Sequence, residues 1–95
     1  MDYNFITTFR NDFAIADMFG TKAIKDTFER AFNEWKHDYK YLTELVIVLN
    51  WRIFDYYDTN REYAKLYDEL WRKADNYAVN NLQGEELSYY YRVTD

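Results

Sequence analysis

Proline is absent from this chain, and glycine occurs only twice, at Gly20 and Gly84. Sandwiches and barrels need turn residues at short, regular intervals, because tight reversals of the backbone call for a fixed φ or for φ above zero. A sequence of 95 residues with two such points is therefore expected to be helical. Its length fits one domain, 1–95, without room for a separate catalytic unit.

Apolar spacing divides the chain into four long helices. The first is predicted from about Thr8 to Phe19, with Thr8 as its N-cap, Phe9, Phe13 and Ala16 inward, and Gly20 ending it in the left-handed conformation. Thr21 is then placed to cap a second helix, whose stripe is Ile24, Phe28, Ala31 and Trp35. The third, about Tyr39 to Tyr57, carries two apolar stripes: Leu42, Leu45, Val46, Leu49 and Ile53 on one side, Ile47, Trp51 and Phe54 roughly opposite. Apolar residues on both sides predict a central helix buried all round. Residues 58–60, Asp-Thr-Asn, form the next turn and cap. They lead into a helix bearing Tyr63, Leu66, Tyr67, Leu70, Trp71, Ala74, Tyr77 and Ala78, which Gly84 ends.

The two termini allow two readings. Leu87, Tyr89, Tyr91 and Val93 alternate with polar positions, as Tyr3 and Phe5 do less cleanly, so the ends could pair as a small β-ribbon. Glu85 and Glu86 instead suit the first turn of a short helix, where the positive end of the helix dipole favours acids. The short helix is preferred. It puts Leu87, Tyr90 and Tyr91 on one face and leaves Tyr89 more exposed. The fold class expected is thus all-α, a compact four-helix bundle-like domain with a short C-terminal helix.

Side-chain chemistry is sparse. Without cysteine there is no thiolate metal site, redox couple or disulfide, which fits a reducing compartment, and the cytoplasm is the expected location. The start of the chain lacks the basic and apolar regions of a signal peptide, and the apolar run Leu45 to Leu49 is far shorter than the roughly 20 residues that cross a bilayer, so no membrane association is expected. A net charge of −5, spread without an acidic block, argues against direct nucleic-acid binding.

Glu34 and His37 have the Glu-x-x-His spacing of carboxylate-bridged di-iron bundles, but the chain has one histidine, and those sites need a second copy of the motif. The only serine, Ser88, lies in the C-terminal segment, away from His37 in sequence, so a Ser–His pair has no support. Asp55 and Asp58 could be drawn as paired carboxylates, yet both fall at a helix end where acids are commonly solvated. Neither glycine belongs to a phosphate-binding loop. Lys22, Lys25 and Arg30 are interrupted by acids and do not make a nucleic-acid stripe. No enzyme activity and no cofactor are expected. Glu44 and Asn50, polar among the apolar residues of the third helix, are read as register-fixing groups or solvated ones.

The compositional anomaly is eleven tyrosines. Tyrosine buries a flat apolar body while its hydroxyl stays wet, which suits protein interfaces. Tyr63, Tyr67 and Tyr77 fall on an apolar stripe. Tyr56, Tyr57, Tyr89 and Tyr90, with Asp55, Asp58, Glu85 and Glu86 beside them, are the candidates for a partner-binding surface.

The segments DFAIADMFG, AIKDTFERAFNEWK, YLTELVIVLNW, YDELW and GEELSYYYRVTD, taken in order, resemble a group of small uncharacterised proteins of bacteriophages and conjugative elements of Gram-positive bacteria. The resemblance implies a mobile-element context in which small acidic proteins bind host proteins, some of them as inhibitors of host defence such as anti-CRISPR proteins. The function expected is a non-enzymatic module that binds a host protein. The alternatives are an acidic mimic of nucleic acid and a structural homo-oligomer, of which a homodimer is the simplest form.

Overall fold

The structure, a computed structural model, describes residues 3–94 and contains five helices: α1 (Tyr3–Asp17), α2 (Thr21–Trp35), α3 (Tyr39–Tyr56), α4 (Arg61–Asn81) and α5 (Glu85–Thr94). No strand occurs among the described residues. The termini are helical from Tyr3 and up to Thr94, which removes the β-ribbon.

Local chemistry fixes the helix starts. Asp38, in extended conformation, accepts hydrogen bonds from the backbone N–H groups of Lys40 at 3.1 Å and Tyr41 at 3.2 Å, capping α3. Asn60 does the same for α4, accepting from the Tyr63 N–H at 3.1 Å. The expected caps of the first two helices are not used. Thr8 lies in the middle of α1, and Thr21 is the first residue of α2, whose N-cap is Gly20 with no side-chain bond. Gly20 has φ 108° and ψ −176°, an extended conformation of the mirror-image kind, not the left-handed helical cap expected of it. Gly84, at φ 59°, is left-handed, but α4 has already ended at Asn81; its carbonyl instead accepts from the Ser88 N–H at 3.0 Å and opens α5.

The core runs through all five helices. Phe13, Phe28, Ile24, Leu42, Leu45, Val48, Leu49, Tyr67, Ala74 and Ala78 are fully enclosed. Ring pairs lock it together: Phe28 stacks on Phe32 at 5.2 Å, and Phe13 meets Tyr67 edge-on at 5.7 Å. α3 packs against every other helix, most extensively α4. Its central place is as expected, but its covering is not. The stripe Leu42, Leu45, Val46 and Leu49 is buried, whereas the opposite stripe ends in Trp51 and Phe54, both exposed. One side of the second half of α3 is thus left in water.

The three consecutive tyrosines separate as a helix requires, though not in the order expected. Tyr90 is buried and its hydroxyl donates to the Asp75 carboxylate of α4. Tyr89 is half-buried edge-on against Tyr39 at 5.3 Å, and Tyr91 is the most exposed of the three. Tyr90, a candidate for partner contact, is therefore a core residue with almost none of its surface exposed.

Candidate functional site

Two groups of large apolar side chains are exposed: Ile15, Met18 and Phe19 around the end of α1, and the outward side of the C-terminal half of α3. At 100° per residue, Ile47, Trp51 and Phe54 fall in one row of α3 with Asp55 beside it, and Tyr57 and Asp58 follow in the turn that ends the helix. Trp51 is 42 %, Phe54 69 % and Tyr57 62 % exposed. Scattered apolar residues on a surface are ordinary, but three large ones on adjoining turns of one helix, with two carboxylates beside them, are a concentrated patch. The patch continues sideways into a groove between α3, α4 and α5 with a volume of about 660 Å³, whose walls include Ile47, Trp51, Trp71 and Tyr91. Asn50 also lines it, so this amide faces the groove. The Arg10 guanidinium of α1 lies 5.5 Å from the centre of the Trp51 ring and covers one of its faces.

Behind the patch, on the inward side of the same turns, a polar cluster holds α3 in place. Asp17, the last residue of α1, takes hydrogen bonds from the Tyr56 hydroxyl at 2.6 Å and from the Tyr67 hydroxyl, and pairs with the Arg52 guanidinium. The Tyr63 hydroxyl donates to the Asp17 carbonyl oxygen at 2.9 Å, satisfying one of the carbonyls that every helix C-terminus leaves open. A carboxylate at the negative end of a helix dipole is unfavourable, and α1 has no basic residue in its last turn. Arg52, from another helix, supplies the missing charge. Its guanidinium also lies over the Tyr56 ring at 5.3 Å and the Tyr67 ring at 5.7 Å, and reaches Asp55 at 3.4 Å. One face of α3 is thereby tied to α1 and α4 through oriented, largely buried bonds, and the opposite face is presented on a rigid support.

Burial pushes the Tyr67 hydroxyl up to about 12, with Arg52 opposing the rise and Tyr56 and Tyr63 adding to it. Tyr90 is raised further in the same direction, by burial and by the Asp75 carboxylate it bonds. Both shifts favour the neutral phenol in the folded state. Below pH 10, near the ordinary tyrosine value, folded and unfolded chains are equally protonated and the stabilisation is complete. Between pH 10 and 12 the unfolded chain ionises first and stability falls, by about 3 kcal/mol for Tyr67 alone. The urea midpoint is therefore expected to drop between pH 9.5 and 12, and less so in Tyr67→Phe. A midpoint independent of pH over that range would contradict the burial of these hydroxyls.

The candidate residues read from the sequence divide into two groups. Tyr57, Asp55 and Asp58 come together at the end of α3 and are exposed. Tyr56 is half-buried, its hydroxyl committed to Asp17. Glu85 and Glu86 are exposed in the first turn of α5, and Tyr89 rests on Tyr39 at the start of α3, with burial and the nearby Glu44 raising its pKa. Tyr39 and Tyr57 are separated by roughly 27 Å at 1.5 Å of rise per residue. The two groups are not one surface. Glu44 is buried and Asn50 partly so. Trp51 and Phe54, on the apolar stripe opposite the buried one, belong to the patch and are exposed.

His37 is exposed, its Nδ1 3.4 Å from the Tyr77 hydroxyl, and among the described residues no group of three or more His, Asp or Glu side chains is placed to hold a metal ion. Among the described residues no helix is long and apolar enough to cross a membrane. No protein-family model, curated protein or solved structure gives a significant match to this chain.

Proposed function

We propose that this chain is a non-enzymatic protein-binding module whose contact surface is the outward face of α3 around Trp51, Phe54 and Tyr57. The observation that carries this reading is the exposure of those three rings on one side of a helix whose other side is tied down by the Asp17–Arg52 cluster. Tryptophan and tyrosine dominate the energetics of protein interfaces, and a rigid support spares the ordering cost of binding. The partner surface that fits is an apolar depression with basic residues at its edge, facing Asp55 and Asp58. The mobile-element resemblance supports a host protein as that partner, blocked by being covered, in the manner of an anti-CRISPR protein.

The test is a quantitative capture from lysate of a Gram-positive host, followed by titration of the purified partner against the chain and against Trp51→Ala/Phe54→Ala/Tyr57→Ala. With helicity unchanged by circular dichroism, the triple variant is expected to weaken binding about 100-fold or more. A partner bound equally by both proteins would sink the assignment. Binding that collapses with salt and is displaced by DNA would favour nucleic-acid mimicry instead. Light scattering that shows a dimer dependent on the same three residues would favour self-association.

A further inference from the structure

A second surface, independent of the α3 face, lies between the first two helices. α1 and α2 are joined by the turn at Gly20, and an open groove lined by both has a volume of about 1040 Å³. Its α2 wall is an i, i+4 row of small residues, Ala23, Thr27 and Ala31, and small rows allow a neighbouring helix to approach at the short end of the usual 8–10 Å axis separation. On the α1 wall Ile15 is 57 % and Phe19 76 % exposed, two apolar side chains one turn apart. Both helices are 15 residues long, about 22 Å at helical rise, enough for four turns of a third helix.

Charge selects among the occupants. Four carboxylates line the groove, Asp12, Asp26, Glu29 and Glu34, against the single cation Arg30. Asp26 is already bridged by Lys22 at 2.9 Å, and Arg30 leans on Thr27 at 3.3 Å, which leaves Asp12, Glu29 and Glu34 as the acidic edge. Nucleic acid and anionic lipid are repelled by such an edge. A second copy of the chain, with net charge −5, brings like charge to it. We propose that the α1–α2 groove seats a basic amphipathic helix of a protein partner, its apolar stripe on Ile15, Phe19 and the small row of α2, and its lysines and arginines along Asp12, Glu29 and Glu34. This is helix-in-groove recognition, in which apolar anchors give affinity and the charged flanks set orientation and partner choice.

A synthetic 18-residue leucine/lysine amphipathic peptide and its leucine/glutamate counterpart serve as probes, titrated calorimetrically at moderate salt. The lysine peptide is expected to bind and the glutamate peptide not to. Asp12→Lys/Glu29→Lys/Glu34→Lys should weaken the lysine peptide at least tenfold, while the charge-matched control Glu62→Lys/Glu69→Lys/Glu86→Lys, at exposed positions outside both surfaces, should stay within twofold. Ile15→Ala/Phe19→Ala, at exposed positions that leave the core intact, should also cost at least tenfold. The proposal is overturned if the lysine peptide does not bind, if the two charge reversals weaken it equally, or if Ile15→Ala/Phe19→Ala leaves its affinity unchanged. Loss of the α3-face partner in the experiment above would not affect any of these readings.

Discussion

Asp17→Ala is expected to lower the stability of this protein by about 3–5 kcal/mol, read as a large fall in the urea midpoint. The carboxylate is 8 % and the Arg52 side chain 12 % exposed, so removing the anion leaves a cation in a place water barely reaches. Two tyrosine hydroxyls, those of Tyr56 and Tyr67, lose their acceptor in the same step. The Arg52 Nε already has no hydrogen-bond partner among the described residues, so this guanidinium has little reserve. Arg52→Met added to Asp17→Ala should recover part of the loss, because an apolar side chain of similar length does not carry a buried charge. A loss under about 1 kcal/mol for Asp17→Ala would mean that Arg52 swings out to solvent and that the cluster does not hold α1 onto α3.

The second large effect separates neighbours in the tyrosine triplet. Tyr90→Ala removes a ring enclosed between α3, α4 and α5 and is expected to cost about 3–5 kcal/mol, as for other large core aromatics. Tyr91→Ala, one residue later and 44 % exposed, should stay within about 1 kcal/mol. Tyr90→Phe isolates the hydroxyl: Asp75 is only partly buried and can turn to water, so the loss should be about 1 kcal/mol. Equilibrium unfolding of the three variants checks the ordering. Equal losses for Tyr90→Ala and Tyr91→Ala would show that α5 docks differently.

Much of this arrangement could be read from residue spacing alone. The all-helical class follows from the missing turn residues, α4 begins after the turn at 58–60 where Asn60 caps it, and the buried stripe of α3 is the one the apolar period picks out. Three things were not legible, each for a physical reason. Trp51 and Phe54 look like core because a period reports which residues share a face, not whether a neighbour exists to cover it. The polar cluster joins Asp17 to Tyr56 and Tyr67, which are 39 and 50 residues away, and no local pattern marks such a meeting. Within the triplet, helical spacing separates Tyr90 from its neighbours, but the placing of Tyr89 against Tyr39 depends on how α5 lies along α3. The candidate site was half visible for the same reason: Tyr57, Asp55 and Asp58 were identifiable as polar-edged and terminal, while their apolar companions were not.

The turn at Gly20 gives one residue control over a whole surface. Its φ of 108° with ψ near 180° belongs to a region that only glycine occupies without strain, and no side chain stands within 4 Å of where a Cβ would be. What forbids another residue there is backbone torsion alone, not lack of room. A chain that acquired alanine at this position would relieve the torsion by shifting α2 about its first residue, and because Ile24, Phe28 and Phe32 of α2 are buried in the core, the shift would reach the packing of α2 on α3 as well as the α1–α2 valley. The aperture of that valley and the packing of the core beneath it are therefore coupled through the backbone of a single glycine.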